Sequence, residues 1–311
     1  MSLPSPFKTL EGEARFRAGY DAALKLWPVP YEELDIPTRF GVTHVIAAGP
    51  SNAPALVLLH GYMATSVMWS PNVADFARSY RVYAVDIMGQ PSKSIPGEPV
   101  RSTDDYVAWL TETFDALHLD RACLVGMSYG GWLALMFVLA TPERVLKLVL
   151  LSPGGLLPLV RQFSLRGMLM TFFPTHLTVN SFMHWAGFTD AAGRPDATPI
   201  FNLMYLGQKH FRMPPDTLRV AANAANALSD DALRALHLPV LLLIGEGEVL
   251  YDAPTALARA RRLIPDFEGE LIPRCRHDMC DSQSRIVDAR VLDFLKKRGD
   301  QQGGTKQRSV A

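Results

Sequence analysis

Short apolar runs alternate with longer segments of mixed apolar and polar residues from residue 55 onward. The runs ALVLL, ACLVG and PVLLLIG contain no polar position, which is typical of strands covered on both faces. Between such runs, segments such as STDDYVAWLTETFDALHL space their apolar residues at helical intervals. Because parallel strands need crossover helices, the pattern predicts an α/β fold with a mostly parallel central sheet flanked by helices.

The two ends of the chain depart from this alternation. Residues 1–30 carry apolar side chains at helical spacing, so we expect a helical N-terminal extension there. Residues 31–50 predict two strands joined at Phe40-Gly41. Residues 299–311 have no apolar pattern, and we expect this tail to be disordered.

The alternation also stops between residues 154 and 236, a segment rich in phenylalanine and methionine. Helical stretches without clear strands predict a helical cap (lid), inserted into an α/β core that comprises residues 31–153 and 237–298. A cap of this composition would lie over a site and line it with apolar side chains. In the alternative interpretation, the segment is a helical subdomain whose apolar residues pack only among themselves.

Composition and charge exclude several classes of function. Lysine and arginine together number 31, as do aspartate and glutamate, so no excess of basic charge indicates a nucleic-acid partner. The longest apolar run, WLALMFVLA, is too short to span a membrane. The N-terminus lacks a basic stretch followed by an apolar one, so no secretory signal is expected. Three cysteines are too few for a disulfide framework, and we expect a cytoplasmic protein.

A candidate nucleophile lies between two glycines, in the stretch Gly126-Met127-Ser128-Tyr129-Gly130. A G-x-S-x-G pattern alone is weak evidence. Here it follows a predicted strand and begins a predicted helix, which is the context of a nucleophile elbow. Its helix N-terminus would favour developing negative charge near the hydroxyl. The alternative is that the glycines only relieve crowding at a tight turn.

A serine hydroxyl needs a base that accepts its proton, and His277 is the best placed of the eight histidines. It follows the last predicted strand, in the loop RCRHDMCDS, where a side chain can reach the carboxyl edge of a parallel sheet. We therefore expect the Ser128 hydroxyl to lie within hydrogen-bonding distance of His277. His60, just after another strand, is expected to hold its own loop by hydrogen bonds.

A carboxylate should orient the imidazole, and three compete for this role after the strand PVLLLIG. They are Glu246, Glu248 and Asp252. We favour Glu248, because the loop can turn back over the sheet edge at that point. Asp252 is better suited to cap the helix predicted over APTALARARRLI.

Stabilisation of an oxyanion requires backbone NH groups near the nucleophile. We expect these from Tyr62, which follows His60-Gly61, and from Tyr129, directly after Ser128. Neither a metal nor a cofactor is expected. Three possible soft ligands occur in CRHDMC, but the spacing typical of zinc sites is absent, and its cysteines are interpreted as apolar filling around the histidine.

The motifs HGY, GMSYGG, GEGEV and RCRH occur in the order found in the α/β-hydrolase superfamily, which the chain resembles from Tyr31 to Lys297. More narrowly, IPTRFGVTHVIAAGP, YRVYAVDIMGQPSKSIP and LLLIGEGEVLYD resemble bacterial carboxylesterases of the naproxen-esterase type. That resemblance implies hydrolysis of carboxylic esters, including arylpropionate esters, without a cofactor. It also implies that Glu248 is the acid. The chain departs from the common pattern at Arg276, where many relatives have glycine, and in the loop DIMGQPSKS, where many relatives have a glycine-rich loop. Neither departure removes a catalytic group.

The sequence as a whole predicts a serine carboxylesterase that acts on small-molecule esters with apolar acyl or alcohol groups. Other serine-dependent enzymes of this fold are alternatives, namely carbon–carbon bond hydrolases, perhydrolases and thioesterases. Ser128 itself excludes enzymes of the fold with an aspartate nucleophile. A non-catalytic small-molecule receptor is the alternative from another class, although a pure binder would not need the complete set of reactive groups.

Overall fold

A computed structural model describes residues 5–188 and 198–297. In this part of the chain, one sheet has the order β1-β2-β4-β3-β6-β7-β8-β9, with β5 paired to β2. The strands are β1 (Tyr31–Thr38), β2 (Gly41–Ala48), β3 (Ala55–Leu59), β4 (Arg81–Val85), β5 (Ile95–Pro96), β6 (Ala122–Met127), β7 (Val145–Leu151), β8 (Val240–Gly245) and β9 (Phe267–Ile272). All neighbours from β4 to β9 are parallel, whereas β1, β2 and β5 form an antiparallel edge. The prediction of a mostly parallel sheet is confirmed.

Helices connect the parallel strands and form the predicted insertion, in which α5–α9 lie between β7 and β8. The helices are α1 (Leu10–Leu24), α2 (Ser70–Phe76), α3 (Thr103–Ala116), α4 (Tyr129–Ala140), α5 (Arg161–Phe172), α6 (His176–Ala186), α7 (Thr198–His210), α8 (Pro215–Asn223), α9 (Asp230–Arg234), α10 (Ala253–Leu263), α11 (Met279–Ser282) and α12 (Ser284–Lys297). Among them, none has the length and apolar character needed to cross a bilayer in the part of the chain described.

Two apolar layers cover the sheet, one on each face. Val57 and Leu59 of β3 pack in the layer formed with α3, α4 and α10. Leu56 and Leu58 of the same strand pack in the opposite layer, formed with α1, α2 and α12. Because successive strand residues point to opposite faces, an uninterrupted apolar run is what this three-layer arrangement requires. Its carboxyl strand ends are held at one edge of the sheet.

Two local expectations need correction. The segment SPNVADFARSY predicts a helix capped by Ser70, with Pro71 at its first position. Ser70 is instead the first residue of α2, because a short 3₁₀ turn over Ser66–Trp69 leads directly into the helix. The Ser70 hydroxyl donates a hydrogen bond to the carbonyl of Leu26, 2.9 Å away. The predicted strand junction at Phe40-Gly41 is shifted by one residue, because Gly41 already begins β2. The predicted disordered tail, 299–311, lies outside the described residues.

A buried charged cluster fixes the loops that follow β3 and β4. Asp86 is fully buried, and its carboxylate accepts hydrogen bonds from the Ser66 amide at 2.8 Å and from His44 Nδ1 at 3.1 Å. His44 Nε2 lies 2.9 Å from Glu33 Oε2. Burial alone would raise the pKa of Asp86, but His44 outweighs it and lowers that pKa to about 2. Burial opposes charge on His44 too, yet Asp86 and Glu33 raise its pKa above 6.5.

The His44 imidazolium should therefore stabilise the fold only over part of the pH range. A raised folded-state pKa gives stability that is fully present below pH 6.5 and is lost as pH rises through the folded value. We expect His44→Gln to lower the unfolding free energy by roughly 3 kcal/mol at acidic pH, and by less at a pH of about 9. Urea unfolding at both pH values measures this, with the exposed His237→Gln as the control. An equal loss of unfolding free energy at both pH values in His44→Gln would contradict a charged His44 in the folded state.

Candidate active site

The turn between β6 and α4 holds Ser128 in a conformation that non-glycine residues rarely adopt. Its φ and ψ are 55° and −113°, and such backbone conformations cost roughly 1–3 kcal/mol. Hydrogen bonds on both sides of the residue hold it there. The Ser128 amide donates to the Leu151 carbonyl at 2.9 Å, and its carbonyl accepts from the amides of Trp132 and Gly154, each at 3.0 Å.

The two glycines of the G-x-S-x-G stretch are required by close packing of the backbone. A Cβ atom at Gly126 would lie 2.4 Å from the Gly130 carbonyl oxygen. A Cβ atom at Gly130 would lie 2.3 Å from the Leu59 carbonyl oxygen and 2.5 Å from that of His60. The second contact joins the serine turn directly to the end of β3. Crowding therefore accounts for the glycines, and the same crowding fixes Ser128 in its strained conformation.

His277 and Glu248 form a hydrogen-bonded pair at the same edge of the sheet. His277 lies in the loop after β9, and its Nδ1 is 3.0 Å and 3.1 Å from the two carboxylate oxygens of Glu248. The Glu248 side chain is fully buried. It also accepts hydrogen bonds from the amides of Val249 at 2.7 Å and Leu250 at 3.0 Å. Burial would raise the pKa of Glu248, but His277 and these hydrogen bonds outweigh it, so the pKa is lowered.

The other two carboxylates considered for this role lie elsewhere. Glu246 is exposed and accepts a long hydrogen bond, 3.4 Å, from the Arg274 amide. Asp252 caps α10, where its side chain accepts from the Thr255 amide at 3.0 Å. The capping role expected of Asp252 is thus observed, and the structure brings only Glu248 of the three to His277.

Ser128 and His277 line one apolar cavity of about 260 Å³ beneath the cap. Among the described residues, no hydrogen bond joins Ser128 to His277. The structure therefore brings the two residues to one cavity without a hydrogen bond between their polar groups. Catalytic hydrogen bonds are often long in unliganded enzymes and tighten with substrate. Cap residues form much of the wall, among them Phe163, Met170, Phe182, Met183, Phe188, Phe201 and Met204.

The backbone amides expected to bind an oxyanion belong to Tyr129, which follows Ser128 in the chain, and to Tyr62, in the loop after β3. Tyr62 and Ser128 line the same cavities, and a Cβ atom at Gly61 would be 3.7 Å from Ser128 Cβ. Neither the Tyr62 nor the Tyr129 amide has a protein acceptor within the described ranges. His60 holds the loop as expected, because its Nδ1 donates to the Gly61 carbonyl at 2.8 Å and its Nε2 accepts from the Ile87 amide at 2.9 Å.

Three positioning contacts have no recognisable signal in the sequence. Gln90, in the loop DIMGQPSKS, accepts a hydrogen bond from the Met63 amide at 2.9 Å and so fixes the segment after Tyr62. Arg276 donates to the Trp185 carbonyl of the cap at 2.9 Å, and the His277 amide donates to the Ala186 carbonyl at 3.0 Å. Arginine at the usual glycine position thus attaches the histidine loop to the cap.

The chemistry of the neighbouring cysteines differs from that of metal ligands. Cys275 and Cys280 are buried and unpaired. Burial raises the pKa of the Cys275 thiol to about 12 and that of Cys280 well above its usual value. Metals bind the thiolate, whereas the raised pKa values keep both thiols protonated and therefore unsuited to a metal. No group of three potential metal-binding side chains occurs among the residues that the structure describes.

The chain is similar in sequence and in fold to known α/β hydrolases, including carboxylesterases of Bacillus subtilis. Residues 54–283 match the family model described as alpha/beta hydrolase fold. The chain is 38% identical over 282 residues to the uncharacterized carboxylesterase nap of Bacillus subtilis, covering 90% of this chain and 92% of that protein. Carboxylesterase YbfK of the same organism is 34% identical over 301 residues, covering 93% and 96%. The crystal structure of naproxen esterase (carboxylesterase NP) from Bacillus subtilis has a TM-score of 0.85 at 36% identity, covering 93% of this chain and 99% of that one.

Packing around the serine turn predicts that one added methyl group lowers the unfolding free energy by a large amount. Gly130→Ala places its Cβ against backbone oxygen atoms that cannot move independently, and we expect it to lower the unfolding free energy by about 3 kcal/mol. Gly167→Ala in α5 is the control, because nothing lies within 4 Å of its added Cβ; higher helix propensity should make it neutral or slightly stabilising. Denaturant unfolding of both variants measures the difference, and equal stabilities would contradict the close packing.

Proposed function

The chain belongs to the α/β-hydrolase family, and from this premise we propose that it is a serine carboxylesterase in which Ser128, His277 and Glu248 carry out the reaction. Its carboxylesterase-like character follows from the Bacillus relatives. The observation that carries the proposal is the buried pair of Glu248 and His277, which faces the cavity that contains the strained Ser128.

In the first half of the proposed reaction, the serine takes up the acyl group. His277 Nε2 accepts the Ser128 hydroxyl proton as Oγ attacks the ester carbonyl carbon. The amides of Tyr62 and Tyr129 stabilise the resulting oxyanion. The tetrahedral species then collapses, its bond to the alkoxy oxygen breaks, and His277 gives the proton to the departing alcohol.

In the second half, water removes the acyl group. His277 takes a proton from a water molecule as the water oxygen attacks the acyl carbon on Ser128. Collapse of the second tetrahedral species returns the proton to Oγ and releases a carboxylic acid. Every group in this cycle is supplied by the protein, the ester and water.

Glu248 determines which nitrogen of His277 is free to accept the proton of Ser128. When Nδ1 carries the proton and donates it to Glu248, Nε2 is left to accept from Ser128. The lowered pKa of Glu248 keeps the carboxylate ionised, so it can stabilise the imidazolium formed during each step. The missing bond between Ser128 and His277 would then form when substrate orders the site.

Cavity shape supports esters with two apolar ends. A second cavity of about 250 Å³ shares Tyr62, Ser128, Leu159 and Phe163 with the first, and its far wall is formed mainly by alanines of α8 and the residues after it. Both cavities therefore meet at Ser128. An ester carbonyl bound there could extend its acyl group into one cavity and its alcohol group into the other, and both would bury apolar surface.

Replacement of the nucleophile is the first test. We expect Ser128→Ala to lower hydrolysis of p-nitrophenyl butyrate by at least about a thousandfold, because no oxygen remains to form the acyl-enzyme. The released p-nitrophenolate is measured by its absorbance. Ser164→Ala is a matched control, since this hydroxyl lines the same cavity and takes no part in the proposed reaction. Equal rates for Ser128→Ala and the unchanged chain would overturn the esterase and favour a binding protein.

Replacement of the acid tests the assignment among the three carboxylates. Glu248→Gln keeps the shape but removes the charge, and its amide can hold the imidazole in the wrong tautomer. We expect kcat to fall by about a hundredfold or more. Glu246→Gln and Asp252→Asn should retain nearly full kcat, because neither side chain contacts His277. A larger loss from either of these two variants would assign the acid elsewhere.

A further inference from the structure

One face of the cap exposes a continuous group of large apolar side chains. Leu165, Met168, Leu169 and Phe172 occupy successive positions along one side of α5, at the i, i+3, i+4, i+7 spacing that normally faces a core. Phe173 and Leu177 extend the group. We call these six residues the exposed cap face. Phe172 is 70% exposed, Phe173 65% and Leu177 79%.

This concentration is unusual for a folded chain. Apart from Val160 at the start of α5, the large apolar residues that are exposed elsewhere in the described ranges are scattered, namely Leu10, Tyr31, Leu218 and Ile286. Scattered exposure is normal, whereas a contiguous apolar patch indicates a surface that meets something else. The opposite side of α5 already contributes Phe163, Gly167 and Met170 to the cavity, so α5 is apolar toward both the site and the solvent.

Charge near the exposed cap face has one sign. The sequence has no aspartate or glutamate between Glu143 and Asp190, whereas Arg161 and Arg166 lie on α5 itself. Arg166 lies over the Trp185 ring, with its guanidinium carbon 5.0 Å from the ring centroid. It also borders a surface cavity of about 300 Å³ that is lined by Leu169 and Leu177. Neither arginine forms a salt bridge to a described residue. The chain as a whole has no net charge, so this positive character is local.

We propose that the exposed cap face docks on the surface of an anionic lipid bilayer, with its apolar side chains inserted at the headgroup boundary and Arg161 and Arg166 against the headgroups. Leucine and phenylalanine beside arginine are typical of helices that lie in a membrane interface. A second copy of the chain fits less well, because a symmetric contact would bring these arginines together without a carboxylate in 144–189 to pair with them.

Docking in this orientation would have a consequence for the proposed esterase. The same helix that meets the lipid forms part of the cavity wall above Ser128. Apolar esters dissolved in the bilayer would then reach the cavity without passing through water. This consequence rests on the proposed function, whereas docking itself does not.

Vesicle sedimentation tests the docking separately from turnover. The full chain carrying Ser128→Ala is mixed with vesicles of phosphatidylcholine alone, or of phosphatidylcholine with phosphatidylglycerol. We expect tighter binding to the anionic vesicles, weakened by added salt because headgroup attraction is screened. Phe172→Gln with Phe173→Gln should weaken binding to anionic vesicles by at least about tenfold. Arg161→Gln and Arg166→Gln should each weaken it by about fivefold.

The matched control is Leu10→Gln, which removes an 83% exposed leucine on α1 and should leave vesicle binding unchanged. An unchanged midpoint of urea unfolding for each variant shows that the fold is intact, independently of any enzymatic activity. Absence of binding to anionic vesicles would overturn the proposal, as would equal binding by the phenylalanine variant. A dimer that this variant converts to monomer, without vesicle binding by the parent chain, would assign the face to a subunit contact and also overturn it.

Discussion

Close contact between the serine turn and the end of β3 is the constraint on which the site depends. Gly130 lies against the carbonyl oxygens of Leu59 and His60 with no room for a side chain. The same contact brings the loop after β3, with its Tyr62 amide, beside Ser128. Parallel register of β3 and β6 therefore fixes two separate parts of the candidate site at once. A strained residue persists there because the surrounding hydrogen bonds and packing over-determine it.

The remaining site residues depend on loops that are fixed by buried polar groups. The Glu248 carboxylate accepts hydrogen bonds from two backbone amides of its own loop and also forms a hydrogen bond with His277. The cluster of Asp86 and His44 fixes the loops after β3 and β4 in a similar way. The pKa shifts of Glu248, Asp86 and His44 favour their charged forms in a mostly apolar environment, because each has an oppositely charged or hydrogen-bonding partner. The apolar cap can thus cover the site without displacing its polar groups.

Much of the architecture could be predicted from sequence, because apolar runs and helical spacing report burial directly. The α/β-hydrolase resemblance and the helical insertion between β7 and β8 are confirmed. Individual side-chain contacts were harder to predict from the sequence than the fold. Nothing in the sequence indicated that Arg276 bonds to the Trp185 carbonyl or that Gln90 holds the Met63 amide, because both contacts join segments distant in the chain. No hydrogen bond joins Ser128 to His277 among the described residues, and the expected contact stays a prediction for the substrate-bound site.

The catalytic roles of Ser128, His277 and Glu248 stay a proposal, and covalent labelling tests them most directly. Diethyl p-nitrophenyl phosphate reacts with an activated serine, which displaces p-nitrophenolate and retains the diethylphosphoryl group. Incubation of the full chain with this reagent, followed by peptide mass spectrometry, identifies the residue modified. We predict one diethylphosphoryl group on Ser128, with loss of ester hydrolysis in proportion to labelling. An unlabelled Ser128 in an inactivated protein, or labelling of another residue such as Ser164, would contradict it.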